Sequence, residues 1–329
     1  MVRVGINGFG RIGRLVFRHS LELDDVEVVA VNDLSDVKML SHLLKYDSIH
    51  GSLDLNVSYD ENNIIVDGRR VRVYSYKSPS EIPWDEADVD IVVESTGLFR
   101  NREAASLHFN SSIDRVVISA PASDVDITII PYVNEHLYDS KRHKIISMAS
   151  CTTNALVPLV KVLHENFGIV KGSMLTVHAY TNDQRLLDAI HRDPRRARAA
   201  AVNLVPTSTG AAKAIYEIYP ELKGRFDAYA IRAPVPDGSI IDLKVLVERD
   251  TNKEEVNDAF KKASQGDLKE ILLYIEDPIV SSDIINVKYL SIFDSLLTEV
   301  VDSDFVRVVS WYDNEYGYSY HLTSLLQRL

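Results

Sequence analysis

The sequence predicts an α/β domain built on a parallel sheet, followed by an α+β domain with a mostly antiparallel sheet. Three observations predict it. Short apolar, β-branched runs alternate with helical stretches through the first half, and parallel strands need crossovers of a dozen or more residues. The second half opens on a long apolar-faced helix and then groups long strands with a few helices, the pattern of segregated layers. The length of 329 residues suits two domains at roughly 100–200 residues each.

Val2–Asn7 is apolar and β-branched and reads as a buried strand. Arg11–Leu23 follows as a helix, with Ile12, Leu15, Val16 and His19 near one face and charges between them. Apolar runs at Glu27–Val31, Val89–Glu94, Val116–Ala120, Ile127–Pro131 and Lys144–Ser147 supply further strands. Ser48–Tyr76 breaks the alternation. Its alternating strands around an Asp67-Gly68 turn signal predict a hairpin inserted in the first domain. Ser150 caps the next helix, whose Leu156, Leu159, Val160, Leu163 and Phe167 fall at helical spacing and which Gly168 ends. Pro158 inside that pattern should kink or loosen it. Strands at Ser173–Tyr180, Ala228–Ala233, Ile240–Glu248 and Val306–Trp311, with helices near Thr209–Tyr219 and Lys253–Gln265, complete the second domain. The link lies near Ser147–Ser150. Residues 1–150 therefore form the first domain and 151–314 the second, with residues 315–329 expected to return as a helix to the first.

Hydrophobic residues make up 46% of the chain and charged residues 26%, a balance that excludes a disordered or collagen-like protein. The 48 acidic against 36 basic side chains leave a net charge of −12, which weighs against an obligate nucleic-acid binder needing a basic footprint. No apolar run approaches the roughly 20 residues of a membrane span. No basic segment leads into an apolar run at the N-terminus, so cytoplasmic residence is expected. A single cysteine, Cys151, excludes an intrachain disulfide framework and a zinc site of several thiolates, and no metal is expected.

Between the first strand and the first helix stands Asn7-Gly8-Phe9-Gly10-Arg11-Ile12-Gly13. The first glycine of a G-x-G-x-x-G permits a tight turn, the second lets backbone approach a pyrophosphate, and the third lets helix and strand pack closely. The helix start offers unpaired N–H groups and a positive dipole end. Asp33 ends the next strand about 20 residues beyond Gly13, where an acid binds ribose hydroxyls and repels a 2′-phosphate. A Rossmann-type dinucleotide domain that prefers NAD follows from the combination.

Cys151 lies in Ser147-Met148-Ala149-Ser150-Cys151-Thr152-Thr153-Asn154, at the expected start of a helix. A helix N-terminus favours the thiolate, the reactive form. A lone cytosolic cysteine is otherwise a buried small hydrophobe, but polar neighbours on both sides favour reactivity. A partner base settles the matter. His178, in Thr176-Val177-His178-Ala179-Tyr180-Thr181, is one candidate among ten histidines. Thr207-Ser208-Thr209-Gly210 opens an alanine-rich helix, either a plain cap or an anion site.

Asn-Gly-Phe-Gly-Arg-Ile-Gly at 7–13, Ser-Cys-Thr-Thr-Asn at 150–154 and Trp-Tyr-Asp-Asn-Glu-Tyr-Gly-Tyr-Ser at 311–319 occur in that order. Together they resemble the phosphorylating glyceraldehyde-3-phosphate dehydrogenases over essentially the whole chain. The resemblance implies that Cys151 attacks the aldehyde with His178 as base, that hydride passes to NAD, and that inorganic phosphate cleaves the resulting thioester. It implies cofactor contacts from Gly8, Phe9, Gly10, Arg11, Ile12, Gly13, Asp33, Ser119, Asn314 and Tyr318. Thr181 and Arg232 would hold the substrate phosphate. Thr153, Thr209, Gly210 and Arg196 would hold the attacking phosphate, with Ser150 and Thr152 in the same set. The basic run Arg192, Arg195, Arg196 and Arg198 lacks the aromatic interleaving of an RNA-stacking surface. In the family this segment reaches a neighbouring subunit, which implies a homotetramer.

The chain departs from the family at three places. Ala155 stands where many members carry a second, non-catalytic cysteine, and Met148 replaces a usual asparagine. Asp188-Ala189-Ile190 replaces the Asp-Leu-Pro of NAD-specific bacterial members, which points to some use of NADP beside NAD, while Leu34 after Asp33 matches the NAD pattern. The resemblance leaves two alternatives: an erythrose-4-phosphate dehydrogenase, which hydrolyses its acyl-enzyme, and an idle dinucleotide- or RNA-binding relative. Thr181 with Thr209-Gly210 weighs against the first, and Cys151, His178, Thr181, Arg232 and Thr209 together weigh against the second.

Overall fold

A computed structural model describes residues 1–109 and 112–329. The chain divides into two compact units: Met1–Ile129 with Leu137–Ala149 and Ser319–Leu329, and Ile130–His136 with Ser150–Tyr318.

The first unit holds strands β1 (Val2–Asn7), β2 (Val26–Asn32), β3 (Val57–Tyr59), β4 (Asn63–Val66), β5 (Arg69–Tyr74), β6 (Ile91–Glu94), β7 (Arg115–Ile118), β8 (Ile127–Thr128) and β9 (Ile145–Ser147), with helices α1 (Arg11–Ser20), α2 (Val37–Lys45) and α3 (Arg102–Ser106). The strands form one sheet in the order β3-β4-β5-β2-β1-β6-β7-β9-β8. From β5 to β8 every neighbouring pair is parallel. Val4, Ile6, Val31, Val92, Val93 and Val117 are fully buried, as expected for strands covered on both faces. β1 lies between β2 and β6, so the chain reverses its direction of winding there. Ligands of open α/β sheets bind at the carboxyl ends of strands beside such a reversal. Asn7, Asn32 and Glu94 end those three strands.

The second unit holds α4 (Cys151–Phe167), β10 (Ile169–Ala179), β11 (Val205–Ser208), α5 (Ala211–Ile218), β12 (Phe226–Ala233), β13 (Ser239–Val247), α6 (Lys253–Gln265), β14 (Leu272–Ile275), β15 (Ser291–Asp294), β16 (Glu299–Val301) and β17 (Phe305–Tyr312). α7 (Tyr316–Leu326) begins in this unit and passes into the first at Ser319. The sheet runs β11-β12-β10-β13-β17-β15-β14, with β16 beside β17. Only β10/β12 and β14/β15 are parallel. β13 alternates strictly, with Ile241, Leu243 and Val245 fully buried, and α4 packs against β13, β15 and β17.

The sequence-based fold class matches both sheets. Three details differ. The expected hairpin within Ser48–Tyr76 exists as β4 and β5, yet β5 also pairs with β2, Ala30 opposite Arg72, so the segment extends the main sheet. α4 continues through Pro158 to Phe167, although proline cannot donate to the carbonyl of Asn154. α5 starts at Ala211, with Gly210 as its cap, two residues later than expected. Among the described residues no helix is long and apolar enough to cross a membrane.

Candidate active site

The glycine loop leaves β1 through Gly8, at φ +90°, a conformation that a side chain strains. A Cβ there would lie 2.7 Å from the backbone nitrogen of Thr96, and one on Gly13 would lie 2.3 Å from the Gly8 carbonyl. These two glycines let the loop sit against its neighbours. A Cβ on Gly10 would meet no atom within 4 Å, so the middle glycine faces open space where an anionic group fits. The Asp33 carboxylate accepts from the Phe9 N–H at 2.9 Å and the Ser35 N–H at 3.1 Å, tying the end of β2 to the loop.

A cavity of about 300 Å³ opens beside them, lined by Gly8, Gly10, Asp33, Leu34, Lys77 and Thr96 among others. Its donor set fits a dinucleotide: backbone N–H groups at a helix start for a pyrophosphate, a carboxylate for ribose hydroxyls. The Arg11 guanidinium pairs in two-pronged fashion with Asp47 at 3.1 and 3.2 Å. Burial works against the Asp47 charge, but the His50 and Ile49 N–H groups and Arg11 bring its pKa down to about 2. Ser119 follows β7, its N–H donating to the Glu94 carbonyl at 3.0 Å.

In the second unit, Ser150 caps α4 by accepting from the Thr153 N–H at 3.1 Å. This fixes Cys151 as the first helical residue, at the positive end of the dipole. Its sulfur lies 3.4 Å from His178 Nε2. β10 and β12 run parallel with His178 directly opposite Arg232, and that register explains why two residues 54 apart meet. His178 Nδ1 lies 2.7 Å from the Ala179 carbonyl and 2.7 Å from Arg232 Nη1. Nδ1 serves only one of them at a time. Donating to the carbonyl leaves the Nε2 lone pair facing the thiol; accepting from Arg232 puts the ring proton on Nε2. Burial pushes the Cys151 thiol up to about 11, with Arg232 pulling the other way. Burial and then Arg232 bring His178 down to about 3. The pair therefore rests as thiol and neutral imidazole near neutral pH. Arg232 Nε is buried with no partner among the described residues, a donor set for an anion.

Arg196 donates from Nε to Thr207 at 2.8 Å and pairs with Asp183 through Nη1. Thr209 and Gly210 stand at the start of α5, with the Ala211 N–H 3.3 Å from the Thr209 hydroxyl. The Ser150 and Thr153 hydroxyls lie 2.9 Å apart. Thr181 follows β10 and receives the Gln184 N–H on its carbonyl at 2.9 Å. Thr152 is buried, its hydroxyl directed to the Tyr312 hydroxyl at 2.9 Å.

Three supporting residues escaped the sequence reading. Tyr312 bonds both Thr152 and Thr176 at 2.9 Å and meets the His178 ring edge-on. Ser239 accepts from the Ala179 N–H at 3.1 Å and donates to Asn314 Oδ1 at 2.7 Å, which fixes the orientation of the Asn314 amide. Asp313 accepts the Asn286, Glu315 and Tyr316 N–H groups and shapes the turn carrying Asn314. Tyr312 and Asp313 lie inside the 311–319 motif, so proximity to it was the only available signal. Tyr318, in the first turn of α7, is buried.

Residues 2–102 match the family model described as glyceraldehyde 3-phosphate dehydrogenase, NAD binding domain, and residues 150–314 match its C-terminal domain. The chain is 55% identical over 324 residues to the glyceraldehyde-3-phosphate dehydrogenase of Geobacillus stearothermophilus, covering 98% of this chain and 97% of that one. It is 55% identical over 331 residues to that of Thermotoga maritima, covering 100% and 99%. With that of Streptomyces coelicolor it shares 56% identity over 326 residues, covering 98% and 97%.

Proposed function

The chain belongs to the glyceraldehyde-3-phosphate dehydrogenase family, and from that premise we propose that it converts D-glyceraldehyde 3-phosphate, NAD and inorganic phosphate into 1,3-bisphosphoglycerate and NADH, a step of glycolysis and gluconeogenesis. The observation that carries the proposal is the 3.4 Å contact of Cys151 with His178, with Arg232 against the far side of the ring.

Arg232, with Thr181, takes the substrate phosphate. An anion drawing Arg232 off Nδ1 lets Nδ1–H donate to the Ala179 carbonyl, which turns the Nε2 lone pair toward sulfur. His178 then accepts the thiol proton as Cys151 attacks the aldehyde carbon, and the carbonyl oxygen is protonated to give a thiohemiacetal. His178 next takes the hydroxyl proton while the substrate carbon loses hydride, leaving a thioester on Cys151. Bound NAD supplies the hydride acceptor. Asn314, its amide oriented by Ser239, would hold the carboxamide of the nicotinamide, and Tyr318 would contribute to the same site. Phosphate held by Arg196, Thr153, Thr209 and Gly210 attacks the thioester carbon, and the thiolate leaves. A thioester conserves the oxidation energy that hydrolysis would release.

The test is steady-state NADH formation from glyceraldehyde 3-phosphate with and without inorganic phosphate. The expected result is strong dependence on phosphate, restored by arsenate, and a higher kcat/KM with NAD than with NADP. Equal turnover without either anion would overturn the phosphorylating reading.

A homotetramer in the cytoplasm completes the proposal. Leu186, Leu187, Ile190, Val202 and Leu204 are all more than two-thirds exposed in one segment, an apolar surface that a neighbouring copy would cover. In that segment Arg196 is paired with Asp183, and Arg198 with Asp188 at 2.8 Å, which leaves less free charge for nucleic acid. Sedimentation equilibrium at four chain masses is the expected outcome.

A further inference from the structure

Beneath the glycine loop lies a buried polar network that the proposed chemistry does not use. Glu94, His108, Asn7 and Asn32 are each at most 4% exposed. Two hydrogen-bonded chains run through them, and each has a fixed polarity. The first starts at the Tyr76 backbone N–H, a donor only, which bonds Asn32 Oδ1 at 2.8 Å. Asn32 Nδ2 must then donate, and does so to Asn7 Oδ1 at 2.8 Å. Asn7 Nδ2 in turn donates to Glu94 Oε2 at 2.6 Å. The second starts at the Trp84 indole N–H, also a donor only, which bonds His108 Nδ1 at 3.2 Å. That assigns the ring proton to Nε2, which lies 3.1 Å from the same Glu94 oxygen. The other Glu94 oxygen accepts from the Thr96 N–H at 2.9 Å and from the Thr96 hydroxyl. Both chains end on one Glu94 oxygen and the Thr96 N–H on the other, so Glu94 is the acceptor on which these donors converge.

The network also reaches the walls of the cavity. Thr96 is the residue against which Gly8 is seated. Asn32 clasps Tyr76 from both sides, next to Lys77. Ser95 donates to the Gly8 carbonyl at 2.7 Å.

We propose that Glu94 is a positioning residue for the cofactor: the acceptor hub that holds the glycine loop, the 95–96 turn and the 76–77 segment at the spacing a dinucleotide requires. The proposal rests on the reading that this cavity takes NAD, and separate variants test the two. Gly10→Leu adds a side chain where there is open space. It is expected to abolish NAD binding in a folded protein; retained binding would overturn the cavity reading.

Glu94→Gln aims an NH₂ group at a donor whichever way the amide turns. Its Kd for NAD is expected to rise about tenfold or more, with kcat at saturating NAD within about twofold of wild type. Combining it with Asn7→Asp moves the carboxylate one place along the chain, where it accepts from both Asn32 and Gln at 94. Only the His108 N–H then still opposes the amide, so the double variant is expected to recover part of the loss, binding NAD at least about threefold tighter than Glu94→Gln alone. Trp84→Phe severs the remote end of one chain, and is expected to lower Tm while leaving the Kd within about twofold. An unchanged Kd in Glu94→Gln, no recovery in the double variant, or loss of affinity in Trp84→Phe in step with Tm would each overturn the proposal. Should Glu94→Gln fail to fold, Asn7→Asp alone is the reference. The double variant must then bind at least about tenfold tighter than it; equal affinities would overturn the hub.

Discussion

The polar network under the glycine loop and the cluster around Cys151 are both buried and both rich in hydrogen bonds, yet they are built on opposite principles. Around Glu94 each donor meets an acceptor, and two donor chains end on one carboxylate. Around Cys151 the groups are set at odds. The thiol is pushed up, the imidazole is pushed down, and a guanidinium nitrogen faces a ring nitrogen that has a carbonyl as its other neighbour. A saturated network is rigid and suits a cradle that must be ready before its ligand arrives. An unsaturated one suits a reaction, because the arriving anion supplies what is missing. Local conflict of this kind is expected where function is placed above stability.

The comparison breaks most readily at the reactive cluster. Cys151→Ser is expected to lower NAD reduction by about 10⁴-fold or more, while the Kd for NAD by titration stays within about twofold. Full activity would remove Cys151 as nucleophile. Arg232→Leu removes the cation facing His178 and the buried Nε donor. It is expected to lower kcat/KM for glyceraldehyde 3-phosphate roughly 10–100-fold, while unphosphorylated glyceraldehyde is not slowed, because Nδ1–H is then free to donate to the Ala179 carbonyl. Equal losses on both substrates would place Arg232 outside phosphate recognition.

Smaller effects sharpen the contrast. Ser239→Ala frees Asn314 to turn its amide and is expected to raise KM for NAD by roughly threefold to tenfold with little change in kcat. An unchanged KM would show that Asn314 holds its orientation without Ser239. The smallest effect is on acid stability. His178 stays neutral in the fold down to about pH 3, whereas the unfolded chain protonates it near 6.5. Its contribution is therefore complete above about pH 6.5 and is lost as pH falls toward 3. His178→Asn should flatten the fall of Tm across that window by a few degrees, read by scanning calorimetry. A parallel fall would mean that His178 is charged in the fold.

Much of this was legible in the sequence because it is local. The strand periodicity, the glycine spacing, the distance from Gly13 to Asp33 and the polar neighbours of Cys151 all lie within short windows. What was not legible depends on partners far apart in the chain. Glu94 reads as an acid at a strand end until the fold brings Asn7 from 87 residues away and His108 from 14. Ser239 looks like any strand-initiating serine until Asn314 arrives from 75 residues on. The turn signal at Asp67-Gly68 specifies a hairpin but not that one of its strands joins β2, since that choice is made by the register of Ala30 with Arg72. Thr152 is a further case. The family resemblance implies a phosphate ligand there, and the fold adds a partner that no local window shows, the Tyr312 hydroxyl 160 residues away at 2.9 Å.

The central claim is that Cys151 carries the acyl group between oxidation and phosphorylation. The direct measurement is intact-protein and peptide mass spectrometry of the NAD-loaded enzyme, mixed with glyceraldehyde 3-phosphate in the absence of inorganic phosphate and quenched in acid. The expected result is a 3-phosphoglyceroyl adduct on the peptide containing Cys151, discharged when phosphate is added before the quench. NADH formation with no adduct, or an adduct on any other residue, would contradict it.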